Sequence, residues 1–422
     1  MKYTTIILFN LLFWAIALPA ADTLTVDQVR ALAQQNSPLQ QQKAYAETQA
    51  ALRLRNIRSN SLPRIQFSGQ ATYQSDVFGF PNDNPVFQVP VVPKDQYKAS
   101  VDVSQRIWDG NSDKYLRQQQ ELERMRTLAQ TDVDVFQVRE AVTGLFFNVL
   151  LLQEKEAILT ASLVNLQTRQ RQADAAVSGG VALRTAADQV QIQILQTEQQ
   201  IADARTDQTA LKEILAIWMG RPDTDFYLKT KTYALRPTPP APQRPEYQLF
   251  QLQQQSLQLG QDMLRLQAQP RVELFAQAGL GRPNPFNFFE TGFEPFGLIG
   301  VRAVWTPVDW GNRSREREAL TLQAKMVDAQ RQAFDQRLEA ATTKDKTDAT
   351  KAQALLEQDD AIIALQEDIV RRAEAQVQNG VMTNTDYLSQ LNLLTQVKLT
   401  RKTHEIQALQ AQELLRAKIG DN

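Results

Sequence analysis

The sequence WDGN at residues 108–111 returns later in the chain as DWGN at residues 309–312. Two further pairs of similar segments follow in the same order, again about 200 residues apart. These pairs are 62–67 with 269–274, and 180–185 with 380–385. Three matches in one order predict a duplicated, domain-sized unit. The spacing of about 200 residues is far too long for a solenoid, whose repeats have periods of only about 20–50 residues.

The duplication predicts four parts of the chain. Residues 1–21 form a signal peptide, 22–236 a first repeat, 237–245 a Pro-rich linker and 246–422 a second repeat. The linker contains five prolines in nine residues. Such a run excludes a helix and favours an extended strap.

Each repeat contains two predicted strands in which apolar and polar residues alternate. Each strand is about nine or ten residues long, enough to cross a bilayer. The apolar sides are Ile65, Phe67, Gly69, Ala71 and Tyr73; Tyr97, Ala99, Val101 and Val103; Val272, Leu274, Ala276 and Ala278; and Ile299, Val301, Ala303 and Trp305. Alignment of Gly110 with Gly311 puts Ile299 opposite Lys98, which predicts a register difference, such as a β-bulge, between the two second strands.

Long helices are predicted after each strand pair. Residues 111–177 contain no proline and a single glycine, which predicts a helix about 100 Å long. Apolar residues recur at steps of three and four from Val138 to Leu166 and, after a turn at Gly180, from Ala187 to Leu215. This spacing is typical of helices packed as a hairpin. The second repeat predicts the same hairpin with its turn at Gly380, and one continuous helix is predicted from Val26 to about Asn60.

The N-terminus indicates export. One lysine, an apolar run from Ile6 to Leu18 and the small residues Ala20 and Ala21 form the pattern of a secretory signal peptide. This run is too short for a membrane helix of about 20 residues, and we expect no later run of spanning length. The destination is the periplasm, the exterior, or an outer membrane crossed by β-strands.

Composition limits the chemistry. The 46 Lys+Arg and 47 Asp+Glu residues give a net charge of −1, which disfavours nucleic-acid binding. The absence of Cys and the single histidine, His404, exclude a thiol nucleophile, disulfides and a Cys/His zinc site. His404 lies in a Gln- and Lys-rich stretch and is predicted to be solvated on a helix face, not part of a Ser/His/Asp triad. We expect no enzymatic activity, no cofactor and no metal.

The number of strands restricts how they could lie in a membrane. Four strands cannot close a barrel, since about eight is the smallest number that closes. An open sheet in lipid would leave its edges unpaired. If the strands cross a membrane, several chains must therefore share one barrel.

The sequence resembles the TolC family of outer-membrane efflux channels over essentially its whole mature length. Six segments carry the resemblance: 24–39, 62–65, 103–111, 305–312, 180–182 and 380–382. The resemblance implies a mainly α fold with a β-barrel part, in which three chains form a 12-stranded outer-membrane barrel continuous with a 12-helix periplasmic coiled-coil tunnel. It also implies the function of an exit duct in a tripartite efflux or type I secretion system of a Gram-negative-type bacterium. The partners implied are outer-membrane lipid, a periplasmic adaptor and an inner-membrane pump.

The resemblance further implies roles for the two hairpin turns. Adaptor docking is assigned to Gly180, Val181, Ala182, Leu183, Gly380, Val381 and Met382. A periplasmic gate is assigned to Asp386, where three symmetry-related carboxylates would favour cations, and secondarily to Asp188. Ala186 and Ser389 stand where the family commonly has further acidic residues. Plain helix-hairpin turns and solvated helix charges would account for the same residues.

Two other classes of protein remain open. A periplasmic coiled-coil adaptor or interaction protein also carries a long helical hairpin. Adaptors, however, flank one hairpin with Gly-rich β-domains, whereas this sequence predicts two hairpins and two strand pairs. A secreted enzyme has the least support, because the sequence shows no assembled catalytic constellation.

Overall fold

The computed structural model describes residues 22–77, 91–230, 243–287 and 289–420. The predicted signal peptide, most of the predicted linker and part of the loop after Tyr73 lie outside these residues. The elements, in chain order, are β1 (Asp22–Leu24), α1 (Val26–Gln35), α2 (Gln40–Ser59), β2 (Arg64–Tyr73), β3 (Asp95–Trp108), α3 (Ser112–Ser178), α4 (Arg184–Met219), β4 (Phe226–Leu228), α5 (Pro245–Leu266), β5 (Arg271–Arg282), β6 (Glu294–Val304), α6 (Asn312–Gln378) and α7 (Asn384–Ile419).

The long helices repeat with a constant offset. Helices α3 and α6 each have 67 residues, and α4 and α7 each have 36. Each pair begins 200 residues apart, since 312 − 112 and 384 − 184 both equal 200. The predicted pair of helical hairpins is therefore present, with equal lengths in the two copies.

The turns that lead into α3 and α6 correct the predicted register difference. In both turns two successive residues have positive φ: Gly110 and Asn111 at 67° and 68°, then Trp310 and Gly311 at 54° and 78°. The Oδ2 atoms of Asp109 and Asp309 accept from the backbone N–H four residues later, at 2.9 and 3.0 Å. The two turns thus align at an offset of 200 residues. Glycine is the first residue of the positive-φ pair in one turn (Gly110) and the second in the other (Gly311). At this offset Ile299 matches Ala99, so the apolar sides of the second strands agree.

The helix predicted from Val26 to Asn60 is two helices. Helix α1 ends at Gln35 and α2 begins at Gln40. Asn36 caps α1 through its backbone N–H, which donates to the Leu32 carbonyl at 2.9 Å. Pro38 lies in the break and accounts for it, because proline disfavours the helical conformation of the residue before it.

The chain forms two compact units, and each contains segments of both repeats. Unit 1 comprises residues 22–40, 134–244 and 337–420, and unit 2 comprises 41–133 and 245–336, within the described ranges. The main core of unit 1 packs α1, α3, α4 and the parallel pair β1–β4. Its fully buried large side chains are Phe146, Phe147, Leu215, Met219 and Phe226.

Burial of the predicted helix seams confirms the heptad pattern. The buried members are Val138, Val142, Val149, Leu159 and Leu166 on α3, and Ala187, Val190, Ile194, Thr197, Ile201, Ala204 and Leu215 on α4.

Helix α3 also contains a stretch that is long and apolar enough to cross a membrane, half of it buried within the protein. The expectation that no later apolar run reaches spanning length was therefore wrong. Since Val142, Phe146 and Val149 lie in the core of unit 1, we assign this part of α3 to helix packing.

Unit 2 contains an antiparallel sheet with the strand order β2-β3-β5-β6. The register pairs Phe67 with Val101 and Val101 with Ala278, so one face of the sheet is apolar across all strands. The opposite face is polar on β2 and β3, where side-chain hydrogen bonds connect Ser68, Ser100 and Asp102 with Gln277 of β5. Strands β5 and β6 add Phe275, Phe296 and Leu298 to this face. A register shift in β3 between Arg106 and Trp108 is a β-bulge against β5. The loops lie at one end of the strands, and the helices join them at the other.

Candidate functional site

The two predicted turns have nearly identical backbones. Helix α3 ends at Ser178 and α6 at Gln378, and Gly180 and Gly380 both have φ of +72°. The N–H of Val181 donates to the Ala176 carbonyl at 2.9 Å, and the N–H of Val381 donates to the Gln376 carbonyl at 2.8 Å. Bonds of this type satisfy the last carbonyls of a helix, and glycine allows the left-handed residue that they require.

The turns expose apolar side chains. Val181 is 85% exposed, Leu183 is 78% exposed and Val381 is 77% exposed. The space around Gly180 and Gly380 is open, since a Cβ atom at either position would meet no atom within 4 Å. Met382 instead packs against buried residues of the hairpins, and Ala182 is half-buried. Apolar side chains this exposed at helix turns are suited to contact with another protein.

The helices that follow the turns begin differently. Thr383 caps α7, because its Oγ1 accepts from the Asp386 N–H at 3.1 Å and also lies 2.6 Å from Asp386 Oδ2. Leu183 occupies the matching position before α4 and makes no side-chain cap. A carboxylate in the first turn of a helix is favoured by the helix dipole.

The two predicted gate residues have different electrostatic surroundings. Asp188 Oδ1 accepts from Arg184 Nε at 3.2 Å, which offsets its charge. Asp386 is exposed and makes no ion pair with any residue that the structure describes. Asp386 is therefore the stronger source of negative potential at these turns.

Contacts between α4 and α7 tie the two hairpins together. The side-chain amide of Asn384 donates to the Ala186 carbonyl at 3.1 Å. Thr385 Oγ1 donates to Gln189 Oε1 at 2.7 Å, and Asn392 Nδ2 donates to Gln193 Oε1 at 2.9 Å. Residues near the starts of the two helices thus lie side by side.

Arg169 on α3 strengthens this link, and the sequence analysis missed it. Its Nε and Nη2 both donate to Asn384 Oδ1, at 3.1 and 3.0 Å. Its guanidinium lies 4.7 Å from the ring centroid of Tyr387, a cation–π contact. Burial raises the pKa of the Tyr387 hydroxyl, so the ring stays neutral beside the arginine. Arg169 is itself buried and follows Leu166 by three residues in the α3 seam, and this polar residue on a buried seam was the available signal.

These polar contacts surround an apolar cluster, which we call the tip cluster. It contains Leu166, Ala173, Ala187, Val190, Ile194, Ala373, Tyr387, Leu388 and Leu391. The members come from α3, α4, α6 and α7. The ends of both hairpins therefore form one packed body.

His404 is not the solvated residue that the sequence predicted. Its Nδ1 lies 2.6 Å from Asp359 Oδ2, and its side chain is 22% exposed. The pair joins α7 to α6, so its role in the fold is to hold the second hairpin closed. Across the described ranges, no group of three or more His, Asp or Glu side chains is arranged to hold a metal ion.

The sheet carries aromatic residues at both ends of its apolar face. Tyr73 and Tyr97 lie at the loop end and Trp108 at the helix end, where Trp305 directly follows the last residue of β6. The bulge in β3 returns Trp108 to the apolar face, since it pairs with Val272. Between these ends the apolar face is exposed, with Phe67 at 79% and Ile299 at 73%. Two aromatic rows that border an apolar band are typical of membrane β-barrels.

Comparison with known proteins finds similarity at the level of structure. No protein-family model and no curated protein matches the chain. The outer membrane protein VceC from Vibrio cholerae matches with a TM-score of 0.69 and 14% identity, over 94% of this chain and 96% of that one. CusC, a transmembrane channel, matches with a TM-score of 0.71 and 13% identity, over 94% and 92%. The CmeC outer membrane channel of Campylobacter jejuni matches with a TM-score of 0.68 and 14% identity, over 94% and 85%.

The chain has the fold of these outer-membrane channels. The likeness covers nearly all of it and confirms the TolC-type architecture predicted from the sequence. The duplicated strand pairs and helical hairpins belong to this fold. Both predicted strand pairs and both predicted helical hairpins are present in the single chain.

Proposed function

We propose that the protein is a homotrimeric outer-membrane channel that serves as the exit duct for an inner-membrane pump and its periplasmic adaptor. The observation that carries this proposal is the exposed apolar band of the sheet between two aromatic rows. Tyr97 and Trp108 are about ten strand steps apart, or about 34 Å along the strand. A strand tilt of about 40° reduces this to about 26 Å, close to the roughly 25 Å apolar band of membrane barrels.

The strand edges support the homotrimer. In the described sheet, β2 and β6 each have one strand neighbour and one unpaired edge. The strands alternate in direction, so β6 of one copy can pair with β2 of the next in the same antiparallel sense. Three copies would supply 12 strands, enough to close a barrel with a water-filled lumen. The polar face, with Ser68, Asp102 and Gln277, would line that lumen.

A matched pair of substitutions tests the membrane placement. Phe67 lies on the apolar face and its neighbour Gln66 on the polar face. Arginine facing lipid at mid-depth costs about 2–4 kcal/mol, whereas arginine facing water costs little. We expect Phe67→Arg to abolish recovery of an SDS-resistant trimer from the outer membrane and Gln66→Arg to preserve it. Recovery of the wild-type chain as a soluble periplasmic monomer would instead favour the coiled-coil adaptor alternative.

We infer that the turns dock the adaptor through Gly180, Val181, Ala182, Leu183, Gly380, Val381 and Met382. The exposure of Val181, Leu183 and Val381 supports this role. In cells that carry the pump, Val181→Asp together with Val381→Asp should abolish efflux of a fluorescent dye while the purified trimer still conducts. Val164→Asp is the control, because Val164 is an exposed valine (57%) within α3 and away from the turns, and it should leave efflux unchanged.

We assign the gate to the same region, with Asp386 as its principal charge. The absence of an ion pair at Asp386, in contrast to Asp188, supports this assignment. In a trimer, three copies of Asp386 would create a negative ring that attracts cations. In this proposal the protein has no enzymatic activity. It passes small molecules or proteins that the pump delivers.

A further inference from the structure

The loop between β5 and β6 folds over the polar face of the sheet. Phe296, at the start of β6, pairs with Gly279 and lies in the polar-face row that includes Ser100. Phe286 from the loop packs edge-to-face against Phe296, with ring centroids 5.6 Å apart. Phe296 is 7% exposed as a result, whereas Phe286 remains 56% exposed.

Gly281 leaves room for this path of the loop. A Cβ atom at Gly281 would lie 2.7 Å from Cδ of Pro285, closer than real side chains approach. Gly281 lies on the polar face, because it is two residues from Gly279 along β5 and residues two apart share a face. Its neighbour across the sheet is Lys98, whose Nζ lies 5.2 Å from the Phe296 ring centroid. Loop, glycine and lysine thus form one packed layer on the polar face.

Hydrogen bonds within the loop hold this shape. The N–H of Asn284 donates to the Glu290 carbonyl at 3.1 Å, and its side-chain amide donates to Glu290 Oε2 at 2.9 Å. Asn284 Oδ1 accepts from the N–H of Phe286 at 3.0 Å, which fixes the position of Phe286. These bonds set the backbone path that brings Phe286 to Phe296.

A second phenylalanine of the same loop lies on the opposite face. Phe293 packs against Tyr97 with ring centroids 5.9 Å apart, and the Arg282 guanidinium lies 5.8 Å from its centroid. Tyr97 and Arg282 pair with each other on the apolar side. The loop therefore straddles the strand ends, with Phe286 on one side and Phe293 on the other.

We propose that Phe286 narrows the outer mouth of the channel and sets the size and polarity of the solutes that leave it. This inference rests on the proposed trimeric channel, in which the polar face lines the lumen and the loops face the exterior. Three copies of Phe286 would then form an apolar collar at the loop end of this wall. Cargo with an apolar surface would contact this collar, and bulky hydrophilic solutes would be held back by it.

The test measures the width of the outer mouth with polymers added on the side of the membrane that the β5–β6 loops face. Wild-type and variant trimers are placed in planar bilayers, and neutral poly(ethylene glycol) of graded mass is added to the loop side alone. Polymers that enter the mouth lower the ionic current, so the largest mass that does so reports the opening on that side. Phe286→Ala should shift this cut-off to larger polymers. Gly281→Val, which would push Pro285 off the polar face, should shift it in the same direction.

Phe293→Ala is the matched control, because it removes the same side chain from the same loop on the lipid side. It should leave the polymer cut-off at the wild-type value. Equal cut-offs for wild type and Phe286→Ala, or an equal shift in Phe293→Ala, would overturn the inference. Absence of conducting trimers in the wild type would refute the proposed channel function instead, so the two failures are distinguishable.

Discussion

Arg169 on α3 donates two hydrogen bonds to Asn384 Oδ1 on α7, at 3.1 and 3.0 Å, although the residues are 215 positions apart in the chain. The same asparagine donates to the Ala186 carbonyl on α4. One amide side chain therefore joins three helices of the tip cluster. A change at this point should affect how firmly the two hairpins are held together.

Arg169→Ala should loosen the tip. Hydrogen bonds to a charged group contribute about 1.5–3 kcal/mol, so in the proposed channel their loss should raise the ratio of open to closed tips by about tenfold or more. The measurement is single-channel open probability in planar bilayers. Arg171→Ala removes an exposed arginine whose hydrogen bond stays within α3, and it should not change that probability. Equal effects of the two substitutions would contradict the role of Asn384 as a link.

Asp386→Asn should reduce the cation preference of the proposed channel. The substitution removes the charge but keeps a side-chain acceptor next to Thr383. A change of about one kT in the local potential corresponds to about a threefold change in the permeability ratio. Reversal potentials in a salt gradient measure this ratio. Asp188→Asn should have a smaller effect because Arg184 already offsets that charge, and the opposite ranking would refute the assignment of Asp386.

Arg30→Ala should destabilise the core of unit 1. Arg30 and Glu413 are almost fully buried and lie 2.8 Å apart, and Arg30 Nε also donates to Thr143 Oγ1 at 2.9 Å. Removal of one partner from a buried ion pair costs about 3–5 kcal/mol when the other charge is left unpaired. Glu413 keeps its bond from Arg416 at 2.8 Å, so the cost should lie at or below the lower end of that range. Thermal unfolding of the purified protein should show a clearly lower midpoint. Lys344→Ala breaks the exposed pair with Asp348 and should cost less than about 1 kcal/mol.

Asp345→Asn should change how stability depends on pH. Burial raises the pKa of the Asp345 carboxyl above its ordinary value of 3.8, despite the hydrogen bond from Lys418 at 2.7 Å. A raised pKa means that the folded protein holds this proton more tightly than the unfolded chain. The resulting stabilisation is fully present below the ordinary pKa and is lost as the pH rises through the raised pKa.

The asparagine variant lacks this titration. The stability of Asp345→Asn relative to wild type should therefore increase as the pH rises through that window. Thermal midpoints of both proteins, measured in parallel from about pH 4 to about pH 7, give the difference. Titration of groups that do not interact with Asp345 cancels in this comparison. Parallel curves would show that Asp345 keeps an ordinary pKa in the folded protein.

Trp310→Gly should raise the thermal midpoint. Trp310 has φ of 54° and is 88% exposed, so it bears the strain of a left-handed conformation with little packing to compensate. The left-handed conformation costs about 1–2 kcal/mol for residues other than glycine. Gly311→Ala, at φ of 78° in the same turn, should have the opposite sign. If both substitutions shift the midpoint in one direction, strain is not the cause.

Local patterns predicted the helices and strands well because their signals are periodic and short-range. Alternation defined β2, and the heptad spacing defined the buried side of α4. The register of β6 was mispredicted because Gly110 was aligned with Gly311. Each turn needs two successive residues with positive φ, and glycine can occupy either position. The missed break at Pro38 had a sequence signal, since proline disfavours helix in the residue before it.

The candidate site was predictable in place but not in its contacts. The glycines at 180 and 380 located both turns. The bonds from Asn384 to Arg169 and Ala186 depend on how two hairpins pack, and no local pattern encodes such pairing. The contact of Phe286 with Phe296 likewise depends on the path of an irregular loop. Such features follow from tertiary structure.

The equal lengths of α3 and α6, and of α4 and α7, impose a constraint on how this protein can evolve. Thr385 meets Gln189, and Asn392 meets Gln193, only while the two hairpins end level. Insertion of seven residues into each helix of one hairpin would displace its turn by about 10 Å and separate every one of these pairs. Hairpin length can therefore change only by matched insertions or deletions in four separate stretches of the gene. Proteins of this fold with longer or shorter hairpins should differ by the same whole number of heptads in all four helices.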